Sequence, residues 1–244
     1  MPVHVFKCGY ANTYLIEEDG SFAAIDVGTF WAAEEIYRHL RIRSADTTSL
    51  RMVTATHFHI DHIGGISKLI KLFPEMKVFF YVKVGEYMAR KDTICLFSFF
   101  SWLRDLRPVL ISCDNHGKNF PAALKSDWAG IPIPLLRKQM LSIPEVFCTL
   151  DGDRPMPYLR NWKLINTPGH TNDSICLYNP IEKTLISGDT ILNMEGSGEL
   201  NRFCCDQDSI KESFKVLSSL NIERIYPGHG KTLSNIEGLG AVLR

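Results

Sequence analysis

Apolar and polar residues alternate in three short runs near the start of the chain: Val3 to Phe6, Tyr14 to Glu17 and Phe22 to Asp26. Glu18-Asp19-Gly20 separates the last two and favours a tight turn, so the chain is expected to open with a small antiparallel meander. Asp26-Val27-Gly28 ends it, and apolar residues then recur at helical spacing from Trp31 to Leu40. A strand through Met52-Val53-Thr54-Ala55, an amphipathic helix over Ile66 to Phe73 and a strand at Lys77 to Tyr81 complete a first α/β half. Regular alternation then breaks down between about residues 85 and 151, where Pro108, Pro121, Pro132, Pro134 and Pro144 interrupt closely spaced apolar clusters. This stretch reads as an insertion of short helices and loops within one domain spanning 1–244, serving either as a lid or as an interface such as a homodimer contact. Strand patterning returns at Trp162 to Asn166, Ile175 to Tyr178 and Thr184 to Ser187. An amphipathic helix follows over Asp208 to Leu220, with Asp208 as its expected N-cap, and then Ile225-Tyr226.

Composition narrows the function classes. Lys plus Arg and Asp plus Glu number 27 each, so the chain carries no strongly basic footprint for nucleic acid. The most apolar run, Ile94 to Leu103, is about half of the roughly 20 residues a membrane-spanning helix needs. The start lacks the charged, apolar and small-residue succession of a signal peptide. The seven cysteines are odd in number and include no Cys-x-x-Cys, which argues against a disulfide framework and for a reducing, cytoplasmic setting.

The chemistry concentrates after the strand that ends near Ala55. His57, His59, Asp61 and His62 fall within six positions, followed by Gly64-Gly65 and a helix. On an extended segment alternate side chains share a face, so His57 and His59 can address one ion while Asp61 and His62, past the turn, serve a second. Imidazole with carboxylate suits Zn²⁺ first, with Fe and Mn as competitors. In the second half three more strands run into loops with metal-binding side chains: His170 in Thr167-Pro168-Gly169-His170-Thr171, Asp189 in Gly188-Asp189-Thr190, and His229 in Pro227-Gly228-His229-Gly230.

Taken together, these motifs resemble the metallo-β-lactamase-fold hydrolase superfamily over nearly the whole chain apart from the insertion, in the manner of glyoxalase-II-like and lactonase-like members. The resemblance implies a four-layer αββα sandwich, with two sheets packed face to face between outer helices and the ligand loops along one edge. It implies one metal on His57, His59 and His170, a second on Asp61, His62 and His229, and Asp189 bridging the pair. It also places Asp26 behind the histidine loop, where a carboxylate orients ligands by hydrogen bonds.

Three protein ligands per ion and a shared carboxylate leave each ion an open position, and a water between two such ions loses a proton near neutral pH. The expected activity is therefore hydrolysis of a small ester, thioester or lactone-like molecule by a hydroxide bridging the metals, with Asp61 shuttling a proton. A mononuclear-iron persulfide dioxygenase built on His57, His170 and Asp189 shares the motif and is an oxidoreductase alternative. A phosphodiesterase or nuclease type of hydrolase is a further one. His4, His39 and His116 lie outside ligand spacing, with His39 expected to be exposed on its helix, and Cys204-Cys205 is expected to be structural.

Overall fold

The computed structural model describes residues 2–43, 47–89, 91–92, 95, 147–152, 155–194, 196–236 and 239–241. Strands β1 (Val3–Phe6), β2 (Thr13–Glu18) and β3 (Ser21–Ile25) form the antiparallel meander. Asp19 and Gly20 turn between β2 and β3 with φ of 50° and 74°, the left-handed backbone that their residue types tolerate. Helix α1 (Phe30–Ile42) follows, capped by Thr29, whose hydroxyl accepts the Ala32 N–H at 3.0 Å. Strand β4 (Leu50–Thr54) leads into the single-turn helix α2 (Ile60–Ile63), then α3 (Ile66–Leu72), β5 (Lys77–Tyr81) and α4 (Val82–Met88). The insertion expected at about 85–151, and His116 within it, lies mostly outside the described residues, which resume at β6 (Cys148–Leu150).

The second half supplies β7 (Lys163–Asn166), β8 (Ile175–Asn179), β9 (Thr184–Gly188), the short ribbon of β10 (Ile191–Leu192) and β11 (Glu199–Leu200), helix α5 (Gln207–Ser218), β12 (Arg224–Pro227) and β13 (Leu233–Ser234). The strands make two principal sheets, one in the order β1-β2-β3-β4-β5-β6 and one in the order β13-β12-β9-β8-β7. Within the first, β3 to β6 run parallel, and in the second β12 runs parallel to β9.

Strand periodicity sorts the side chains into layers. On the first sheet Leu15, Ala24, Val53 and Phe80 face α1 and α3, where they meet Ile36, Leu40, Ile66 and Leu69. Their neighbours Ile16, Ala23, Met52 and Phe79 point the other way and pack on Leu164, Leu177, Ile186 and Tyr226 of the second sheet. Cys176, Leu185 and Ile225 on the outer face of that sheet meet Leu217 and Ile222. The result is the expected helix, sheet, sheet, helix order, with the apolar interior split into three seams.

Two expectations need correcting. The N-cap of α5 is Asp206 and not Asp208: Asp206 Oδ1 accepts the N–H groups of Asp208 and Ser209 at 2.9 and 3.1 Å, because its extended backbone lies one step before the first helical turn. His39 is half-buried, its ring 4.6 Å from that of His4 and 5.5 Å from that of Phe6, since α1 turns this face onto β1. From the cap, Asp206→Ala should lower the unfolding free energy by about 1 kcal/mol in urea titrations, while Asp208→Ala, which removes no cap, should change it by less than about 0.5 kcal/mol.

Candidate metal centre

The strands deliver their polar loops to one edge, where the two sheets meet. Asp26, directly after β3, is fully buried with φ 58°. Its Oδ1 accepts the Thr56 N–H at 2.7 Å, its Oδ2 accepts the Thr56 hydroxyl at 2.9 Å, and Oδ2 stands 3.1 Å from His62 Nδ1. One carboxylate thus fixes the loop after β4 at both ends. The next turn fits only because residue 28 is glycine: a Cβ there would lie 1.7 Å from the Asp61 carbonyl oxygen. On the other sheet, Gly228 plays the matching part, since a Cβ would meet Asp189 Oδ1 at 2.1 Å.

The ring nitrogens that face away from the centre are held by the protein. His57 Nδ1 lies 3.2 Å from Thr56 Oγ1; that hydroxyl spends its proton on Asp26, so it accepts from the imidazole. His59 Nε2 donates to the Cys95 carbonyl at 2.9 Å, His170 Nδ1 to the Phe203 carbonyl at 2.6 Å, and His229 Nδ1 to the Tyr10 carbonyl at 3.0 Å. Each bond fixes which nitrogen faces outward, and at His57, His59 and His170 it leaves a lone pair on the inner one. Those lone pairs converge: His57 Nε2 is 3.0 Å and His170 Nε2 is 3.2 Å from His59 Nδ1.

Beside them stand the carboxylates and two more imidazoles. Asp189 Oδ2 is 3.5 Å from His170 Nε2 and 3.3 Å from His229 Nε2, while its Oδ1 is 3.5 Å from His62 Nε2. Asp61 Oδ2 is 3.4 Å from His229 Nε2 and 3.7 Å from His62 Nε2. Ligand atoms within 4.8 Å of one another therefore form three overlapping groups: His57, His59 and His170; Asp61, His62 and His229; and His57, His62 and Asp189. The donors fit divalent metal on a test internal to the structure: His62 Nε2 and Asp189 Oδ1 are buried without a hydrogen-bond partner, a cost that a shared cation would remove.

The two halves differ electrically. Burial, then the neighbouring imidazoles, hold His57 well below its ordinary pKa, and burial takes His170 down to about 4. Burial pulls His62 down too, but the carboxylates of Asp26, Asp61 and Asp189 outweigh it and raise the group to about 9. His229 is likewise raised, against burial, by Asp189 and Asp61. Burial opposes ionisation of Asp61, yet His62 and His229 bring its carboxyl down to about 2. Without metal, His57 and His170 are held neutral, and the other half holds protons between its carboxylates.

A sequence profile of the metallo-beta-lactamase superfamily matches residues 6–229, which include every one of these side chains. The chain belongs to the metallo-beta-lactamase superfamily. With its full donor set it is a metal-dependent hydrolase of that superfamily. Among curated relatives it is 25% identical to a probable metallo-hydrolase, YflN, of Bacillus subtilis, over 93% of this chain and 83% of the relative. It is 32% identical to a hydroxyacylglutathione hydrolase of Legionella pneumophila, over 97% of this chain and 68% of that one. Other curated relatives are longer, and the chain spans 57%, 54% and 59% of three of them. Among solved structures, the BLEG-1 B3 metallo-beta-lactamase shares the fold with a TM-score of 0.64 at 19% identity, covering 96% of this chain and 94% of that one.

The structure brings together all seven residues singled out by motif, together with Asp26. His4 and His39 pair with each other away from this edge. Several participants carried no sequence signal. Tyr10 lays its ring 4.2 Å from that of His229, and Asn201 Nδ2 donates to the Asp189 carbonyl at 2.8 Å. Asp173 is buried beneath the histidine loop. Cysteine arithmetic missed a disulfide between Cys95 and Cys205, with Cα atoms 6.3 Å apart, because its partners lie 110 positions apart and meet only through tertiary folding. Its two ends flank the site, since the Cys205 N–H donates to the Gly169 carbonyl at 2.8 Å while the Cys95 carbonyl receives His59. Among the described residues no helix is long and apolar enough to cross a membrane.

The raised group at His62 has a pH signature. Its folded pKa of about 9 exceeds the unfolded value of about 6.5, so it stabilises the metal-free fold fully below the lower value and loses that effect as pH rises to the upper one. Chelator-treated protein should therefore lose stability in denaturant titrations between about pH 6.5 and 9, and His62→Gln should flatten that slope. A stability that rises through this window would contradict the assignment.

Proposed function

We propose that the chain is a dinuclear-metal hydrolase acting on a small ester, thioester or lactone-like molecule with an apolar part. The observation that carries this reading is the position of Asp189 between two donor groups, with one oxygen toward His62 and the other toward His170 and His229. One ion would be held by His57, His59 and His170, the other by Asp61, His62 and His229, with Asp189 shared. Zinc is the first choice for this nitrogen and oxygen set, with iron or manganese as competitors. When bound, such ions polarise a carbonyl oxygen and make a water acidic near neutral pH.

The chain's own residues then have defined tasks. Carbonyl and hydroxyl partners behind His57, His59, His170 and His229 hold each ring in one orientation, with its inner nitrogen aimed at the centre. Asp61, kept ionised by His62 and His229 and partly open to solvent, is placed to take a proton from a water at Oδ2 and to return it to a leaving oxygen or sulfur. Asp189 keeps the two donor groups in register. The relative named hydroxyacylglutathione hydrolase supports a thioester among the substrate classes, and the neutral charge balance suits a small molecule better than a nucleic acid. A homodimer and a cytoplasmic site of action belong to the same proposal, the latter without support from the cysteines, since Cys95 and Cys205 are bonded.

The test begins with elemental analysis of protein purified without added metal, followed by a panel of thioesters, lactones and phosphodiesters. Near two Zn per chain with thioester or lactone turnover is the expected result. Asp189→Ala should lower kcat/KM by about a hundredfold or more and reduce bound metal. Near one Fe per chain, with oxygen consumed on addition of glutathione persulfide, would replace this reading with a dioxygenase. Turnover confined to phosphodiesters would replace the substrate class, and full activity in Asp189→Ala would sink the two-metal mechanism.

A further inference from the structure

The histidine loop is gripped by a second buried carboxylate, on the side away from Asp26. Asp173 is 1% exposed. Its Oδ2 accepts the Phe58 N–H at 2.7 Å, and Phe58 is the residue between His57 and His59. Its Oδ1 accepts the hydroxyl of Tyr87, a buried residue of α4, at 3.1 Å. The turn that carries both Asp173 and His170 is closed by Ser174 Oγ, which accepts the Thr171 N–H at 3.1 Å and lies 2.8 Å from the Thr171 hydroxyl. Asp173 therefore links all three members of one cluster: it holds the peptide joining His57 to His59, and it sits three residues after His170 on the same turn.

Charge gives this placement a direction. The second cluster owns Asp61 and has Asp26 against His62. The three-histidine cluster has neutral donors only and shares Asp189. A divalent ion among neutral imidazoles gains from each buried negative charge nearby, because the low-dielectric surroundings screen it weakly. Asp26 stands behind His62 and, through Thr56, behind His57, whereas Asp173 holds the peptide joining His57 to His59 and, among the described residues, bonds to none of the second cluster.

We propose that Asp173, braced by Tyr87, is a positioning residue for the His57, His59 and His170 cluster: it fixes the peptide between the first two ligands and supplies the outer negative charge that favours a divalent ion there. This rests on the metal-binding reading above. A merely structural role would weaken both clusters alike, whereas positioning acts on one.

The experiment is Zn²⁺ titration against a chromophoric chelator, which reads affinity without turnover. Asp173→Asn is made in a His229→Ala background, which leaves the three-histidine cluster intact, and in a His59→Ala background, which leaves the other. The expected result is about 10- to 100-fold weaker Zn²⁺ binding in the first background and less than about threefold change in the second. Tyr87→Phe, which keeps the ring and removes only the hydroxyl, should weaken the first background alone by about three- to tenfold. If Asp173→Asn does not fold, the Tyr87→Phe pair decides. Equal loss in both backgrounds, or no loss in either, overturns the inference while leaving the two-metal reading intact. Absence of Zn²⁺ binding by the unsubstituted protein would overturn both.

Discussion

Three imidazole lone pairs facing one another at 3.0 to 3.2 Å are the constraint around which this structure is arranged. Such an arrangement is repulsive by itself and is largely buried, so a rigid frame must hold it until a cation makes it attractive. The frame is the pair of stacked sheets, whose strand ends project the loops. Hydrogen bonds across the seam lock it: the Asn12 N–H reaches the Gly228 carbonyl at 2.7 Å, and the Ile175 N–H reaches the Thr56 carbonyl at 2.8 Å. The loops that carry His57 and His229 are thereby tied to the opposite sheet or its margin. The apolar seams beneath do not touch the chemistry, but they set the distance between the two edges.

Against that frame the donor set is deliberately uneven. Neutral His57 and His170 prepare one half for a cation, whereas the other half stores protons between carboxylates and must release them before an ion can enter. Metal loading is therefore coupled to proton release mainly at the half that contains Asp61. That is also the half whose carboxylate is partly exposed and able to exchange a proton with a substrate. On the proposed two-metal reading, binding asymmetry and catalytic asymmetry have the same origin, the uneven placement of carboxylates around equivalent rings.

Much of this was legible in the sequence. Apolar runs placed β1 to β5, β7 to β9 and β12 within a residue or two, because these strands bury apolar side chains in one or more of the three seams, whereas the short strands β6, β10, β11 and β13 carried no such run. The seven donors were visible because they crowd into short loops just past those strands. What remained hidden depended on contacts between distant segments. Asp173 looks like any loop aspartate until Phe58 and Tyr87 surround it, and Cys95 with Cys205 has no local signature. The error at Asp208 has another cause: two aspartates stand two positions apart, and which one caps depends on the backbone angle at 206, which residue type alone leaves open.

The outer partners of the ligand rings carry a further implication. His59, His170 and His229 each hand their outward nitrogen to a main-chain carbonyl, those of Cys95, Phe203 and Tyr10, and these three belong to three different connecting segments. A carbonyl acceptor does not depend on the identity of its side chain, so the sequence of those segments can change while the tautomers stay fixed. Their backbone positions cannot change as freely, because a shift of a few tenths of an ångström would weaken the bond and turn the ring. Cys95, held by its disulfide, and Tyr10, whose ring packs on His229, are fixed in side chain as well, but elsewhere the segments that border the site are freer in side chain than in path. This is the condition under which one metal frame can face different substrates, and it explains why the donor residues announce themselves in the sequence while the residues that choose the substrate do not.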